Sequence, residues 1–175
     1  MKKNSYLLVL AIISLIVVSC SGISKEDLVQ NIKEQEALIS DVNLANDNQD
    51  ILQKLTDNYK LFGDKYPQDS ITPYYLFRAA DISLSTGSAN EAMTMLNNIM
   101  RDYPSFEKIP HCVFLKGYIE ENFLGNLGKA KSYYEEFLTK YPDHAFANDV
   151  RMTLKYLGKS PEEVIREFEQ KNKEK

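Results

Sequence analysis

The chain has 175 residues, 21 of them basic and 25 acidic, for a net charge of −4, and 43% of it is apolar. That mildly acidic balance excludes the clustered lysines and arginines on which nucleic-acid binding rests, so no nucleic acid is expected among the partners. Two cysteines are too few for a disulfide framework, and with no tryptophan the eleven tyrosines and eight phenylalanines must supply the large rings of any core.

Met1-Lys2-Lys3 is a short basic start, and Leu7 to Val18 is apolar apart from Ser14. Such a run is too short to span a bilayer, which takes about 20 residues. Followed by the small Ser19, it describes a secretory signal peptide over residues 1–19. The cut point reads Val17-Val18-Ser19-Cys20 and resembles the lipobox of bacterial lipoproteins, although that family prefers Leu where Val17 stands and Gly or Ala where Ser19 stands. An ordinary signal peptide with a chance cysteine is the alternative. The resemblance implies a covalent diacylglycerol and an N-acyl chain on Cys20, with no other cofactor. Each buried methylene stabilises such an anchor by roughly 0.8 kcal/mol, and more than one chain makes it stable. Ser21 after the cysteine implies, by the same resemblance, the outer membrane, with the periplasmic side preferred. Lys25-Glu26-Asp27 also resembles the surface-export signals of some lipoproteins. Cleavage would take Lys2 and Lys3 away and move the net charge to −6. The remaining ~155 residues suit one domain of ordinary size. With Cys20 acylated, Cys112 has no cysteine to pair with, and Val113, Phe114 and Leu115 beside it point to a buried position.

Residues 20–46 read as a lipidated N-terminus, a tether and an N-terminal helix. The helix runs from Ser24 to about Ser40, with Ser24 and Asp27 forming a near capping box. Ser40 to Gln49, "SDVNLANDNQ", has the composition of a connecting loop. From residue 47 onward the pattern repeats. Tyr66-Pro67, Tyr103-Pro104 and Tyr141-Pro142 stand 37 and 38 residues apart. Counting back from each proline by 12, 8 and 5 gives Leu55, Tyr59 and Phe62, then Ala92, Leu96 and Ile99, then Ala130, Tyr134 and Phe137. That spacing puts each set on one face of a helix. Gly87, Gly125 and Gly158 fall where helices should end. "SANE" (Ser88 to Glu91) and "SPEE" (Ser160 to Glu163) read as capping boxes, and Thr72-Pro73 as a cap followed by a first-turn proline.

This layout resembles the tetratricopeptide repeat, a helical hairpin of about 34 residues. From Pro73 to Pro104 the small Ala80, the turn Gly87, Ala92, Leu96, Ile99 and the final proline all match the family's spaced positions. Pro110 to Pro142 keeps Ala130, Tyr134, Phe137 and Pro142, but its small residue, Gly117, comes one place early, so its turn carries an extra residue. Ala147 to Leu157 and Pro161 to Lys173 read as a last hairpin. The expected fold is therefore all-α: stacked helical hairpins, about three of them plus an N-terminal helix, over residues 47–172, with a charged tail at 173–175. In such a stack each hairpin buries its apolar face only against its neighbours.

The resemblance implies a concave face lined by the first helix of each hairpin, here Tyr74, Phe77, Asp81 and Leu84, then His111, Phe114, Tyr118 and Glu121. Rigid rings in a groove suit protein or peptide recognition, although aromatics at helical spacing are more often core than interface, which puts roughly half of these inside. Some members hold a C-terminal carboxylate with Lys and Asn in these places; Tyr74, Phe77 and Asp81 are the wrong chemistry for that. No catalytic or metal-ligand constellation accompanies them. His111 and His144 are the only histidines and have no cysteine or carboxylate at ligand spacing, and "GNLG" at Gly125 to Gly128 lacks the Lys-Ser/Thr ending of a phosphate loop. The expectation is a membrane-anchored scaffold that binds an envelope protein or peptide and is not an enzyme, with a surface-exposed, ligand-capturing lipoprotein as the alternative.

Overall fold

The structure, a computed structural model, describes residues 22–41 and 49–173. The expected signal peptide, Cys20, most of the expected connecting loop and the last two residues of the tail lie outside them. The described residues form eight helices and no strand. They are α1 (Lys25–Asp41), α2 (Gln49–Lys65), α3 (Thr72–Ser85), α4 (Ala89–Asp102), α5 (Ile109–Asn122), α6 (Leu127–Lys140), α7 (Ala147–Tyr156) and α8 (Pro161–Lys173). From α1 to α7 each helix packs on its neighbours in the chain, which is the one-dimensional contact pattern of a helical solenoid.

All nine residues of the three spaced sets are fully buried, so they form the spine of the stack. Leu55, Tyr59 and Phe62 of α2 share one core cluster with Leu28 and Ile32 of α1, Ala79 and Ala80 of α3, and Ala92, Leu96 and Ile99 of α4. Ala130, Tyr134 and Phe137 of α6 form a second cluster with Val113 of α5 and with Ala147 and Val150 of α7. Helix α5 contributes to both and joins them. Gly117 lets the Tyr134 ring of α6 lie directly on α5: a Cβ there would lie 2.6 Å from that ring. Cys112 is buried and unpaired among the described residues, and burial pushes its thiol up to about 12.

Two kinds of connection alternate. Tight turns at Gly87, Gly125 and Gly158 join α3 to α4, α5 to α6 and α7 to α8, each glycine with φ between 67° and 84°. The α5–α6 turn is one residue longer than the α3–α4 turn, as the early Gly117 requires. Tyr-Pro corners join the hairpins, and all three have one backbone design. Asp69, Phe106 and His144 donate N–H to the carbonyls of Tyr66, Tyr103 and Tyr141 at 2.9–3.2 Å. Thr72, Ile109 and Ala147 then donate to the carbonyls of Asp69, Phe106 and His144 at 2.8–3.0 Å. A side-chain link crosses from one corner to the previous one, where the Tyr103 hydroxyl donates to the Pro67 carbonyl at 2.9 Å.

The caps differ in part from the sequence reading. Ser160 and Glu163 form the reciprocal box, with Ser160 N–H to Glu163 Oε2 at 2.8 Å and Glu163 N–H to Ser160 Oγ at 3.3 Å. Ser24 likewise accepts the Asp27 N–H at 3.1 Å. Ser88 makes no side-chain cap bond; its N–H goes to the Ser83 carbonyl at 2.7 Å, and Glu91, the other half of the expected box, is drawn to Lys60 of α2 at 2.6 Å. Thr72 is not a cap either. It is buried in the first turn of α3, and its hydroxyl donates to the Tyr66 carbonyl at 2.6 Å.

Candidate binding face

Five of the eight expected groove residues fall on one continuous run across α3 and α5, and the corners and the α5–α6 turn add three more. Tyr74 is 40% exposed and Phe77, one turn on, only 8%. The Lys108 ammonium lies 5.8 Å from both ring centroids and bridges them. Phe77 meets the His111 ring edge-on at 6.5 Å. His111 in turn contacts Phe146 at 4.9 Å, and Phe146 lies 6.4 Å from Phe114. Phe114 stacks on Tyr118 at 6.5 Å, and Tyr118 reaches Phe123 at 6.1 Å. Tyr118 and Phe146 are 39% and 38% exposed. The result is a band of aromatic rings with open faces at Tyr74, Tyr118, Phe123 and Phe146 and packed ones among them.

Phe77 therefore corrects the sequence reading. It was expected in the groove, yet it belongs to the core beneath it, packed on Phe106 at 6.2 Å. Helix α3 is apolar on more than one side, so helical periodicity alone cannot say which ring faces out. Phe114 is half-buried against Tyr134 at 5.9 Å and serves both layers.

The remaining residues of the set divide. Asp81 is half-buried; burial holds its carboxyl above the usual carboxylate range, opposed by the charges of Arg78 and Lys108. Leu84 packs on the first core cluster. Glu121 accepts the Tyr134 hydroxyl at 2.7 Å, so it is engaged inside its own hairpin. Tyr59 donates to Glu36 in the same way across α1 and α2. Burial, then the carboxylate bond, raises both phenols, which remain donors at any ordinary pH. Glu120, beside Glu121, turns away to accept from Asn126 Nδ2 at 2.9 Å.

Lys108 and Phe146 were missed from sequence, and their signal is positional. Each stands four residues after its corner proline, as does Ile71, and each is the residue just before the next helix. His144, two residues after its proline, stands isolated in the sequence, 33 residues from His111; the fold sets the two rings 5.3 Å apart. Among the described residues no group of three or more His, Cys, Asp or Glu is placed to hold a metal ion. No helix among them is long and apolar enough to cross a membrane.

The fold and this face define a helical-repeat protein of the binding kind. A family model described as the tetratricopeptide repeat matches residues 112–144, from within α5 to the corner after α6. The chain thus contains a tetratricopeptide repeat within an all-helical, tetratricopeptide-like stack. No curated protein matches the chain.

Proposed function

We propose that this protein is a lipid-anchored scaffold of the bacterial envelope, tied to the outer membrane through acylated Cys20, whose α3–α5 face holds a segment of a protein partner. The anchor rests on the lipobox-like Val17-Val18-Ser19-Cys20, and the periplasmic face of the membrane is the assignment that goes with it. The observation that carries the binding role is the aromatic band with open rings at Tyr74, Tyr118 and Phe146. Rings already held in place bury large area on a partner at low entropy cost, which is why such residues dominate binding hot spots. Asp81, Leu84, His111 and Phe114 complete the face, and Phe77 supports it from below.

The test is cross-linking in the native cells, with capture through a C-terminal tag and a Cys20→Ala chain as control. Envelope proteins that are captured by the wild type and lost with Cys20→Ala support an anchored scaffold. Tyr74→Ala combined with Tyr118→Ala removes only exposed rings, so it should abolish capture while leaving the helical circular dichroism unchanged. A chain shaved by protease on intact cells, with no specific partner captured, overturns this reading in favour of ligand capture at the cell surface.

A further inference from the structure

The three Tyr-Pro corners are built alike, yet the side chain two residues after the proline makes a different contact at each. It always touches the first helix of the preceding layer. At the first corner Asp69 forms an ion pair with Lys25 of α1. At the second, Phe106 packs on Phe77 of α3. At the third, His144 packs on His111 of α5, ring edge to ring face at 5.3 Å with an interplanar angle of 84°. The successive joints of the stack are thus an ion pair, an aromatic pair and an imidazole pair.

The third joint offers no acceptor to His111 Nδ1. Its other walls are Phe77 of α3 at 6.5 Å from His111, Phe146 at 4.9 Å, and Phe137 of α6 at 5.5 Å from His144. His111 Nδ1 is buried and has no hydrogen-bond partner among the described residues, so a proton added there would be a donor with nothing to accept it. His144 Nδ1 accepts the Phe146 N–H at 3.1 Å, and Phe146 is the capping residue of α7. The charges acting on His111 are Lys108 and Glu107 from the second corner and His144 from the third. Burial comes first, then Lys108 and His144, in holding His111 below its ordinary value; Glu107 opposes them.

We propose that this third joint is a proton-operated release: protonation of His111, where it packs on His144, frees α7 and α8 from the stack while the first two joints stay closed. The sign follows from linkage. A histidine depressed in the closed joint is protonated more readily when the joint is open, so closure is fully held above about pH 6.5 and weakens as pH falls below it. The first joint responds elsewhere. Its ion pair with Lys25 lowers Asp69 from 3.8, so that contact is kept until pH falls below that value. A mildly acid medium therefore opens one joint and not the others. The release is internal to the chain and does not depend on the partner-binding reading.

Hydrogen exchange on the full chain, at about pH 7.5 and about pH 5.5 and corrected for the intrinsic pH dependence of exchange, tests this. The expected result is a roughly tenfold loss of protection at the lower pH in the first turns of α5 and α7, one unit of differential proton affinity being a factor of ten. Protection in α2 and α4 should not change. His111→Phe converts the third joint to the aromatic kind found at the second and should abolish the response. Equal protection of the wild type at both pH values overturns the proposal, as does an undiminished response in His111→Phe. Should that variant not fold, the C2 proton of His111 in the wild type decides: a midpoint at or above the ordinary histidine value overturns the release, and one clearly below it supports it.

Discussion

Single atoms set the tolerances of this fold, and Gly117 is the tightest place. A Cβ there would meet two carbons of the Tyr134 ring at 2.6 and 2.8 Å. The ring cannot retreat, because it is fully buried and its hydroxyl is tied to Glu121. Gly117→Ala should therefore cost about 1–3 kcal/mol, the usual range for overpacking, read from the midpoint of urea unfolding. Gly87 is the contrast. Nothing lies within 4 Å of its added Cβ, so Gly87→Ala pays only for a left-handed backbone at φ 84°, about 1 kcal/mol. Cys112 gives a chemical reading of the same packing. With its thiol buried and pushed up to about 12, its peptide should stay unmodified when the native protein meets a maleimide near neutral pH, and become labelled in denaturant.

Among the elements, the second helices were the most legible in the sequence. Their spaced sets were found from the corner prolines, and all nine residues are buried, since a helix packed on both sides in every repeat must carry the same stripe each time. First helices were harder. Tyr74 and Phe77 are one turn apart on α3, and only three-dimensional packing separates the open ring from the buried one. Lys108, His144 and Phe146 come from corners, where no helical period exists, and only superposing the corners residue by residue brings them out. Capping was legible in pattern but not in outcome. Ser88 and Ser160 head similar four-residue motifs, yet Glu91 is taken by Lys60 while Glu163 returns to its own helix. Ser160→Ala should fray α8 at a cost of about 1 kcal/mol, seen as faster amide exchange in its first turn. Ser88→Ala should change stability by no more than about 0.5 kcal/mol.

Taken as a whole, the molecule is a stack whose strength is unevenly distributed. The first core cluster draws on α1 to α5, the second on α5 to α7, and among the described side chains α8 adds none to either. Ile165 of α8 is among the most exposed large apolar residues described. A chain ended after Lys159 should keep the remaining helices and lose no more than about 1 kcal/mol in urea unfolding, because in a stack each unit answers only to its neighbours. In the full chain, amide exchange should be slowest in α2 and α4 and faster toward α7 and α8. The link between corners adds a mechanical side to this gradient. Tyr103 ties its corner to the Pro67 carbonyl, whereas Tyr141 lays its ring on Phe137 of its own hairpin. Loaded from its two ends, the molecule would bend as a rod of unequal stiffness, rigid where tyrosine spans two corners and compliant at the last one, so that flexure concentrates beside the open rings of Phe146 and Tyr118.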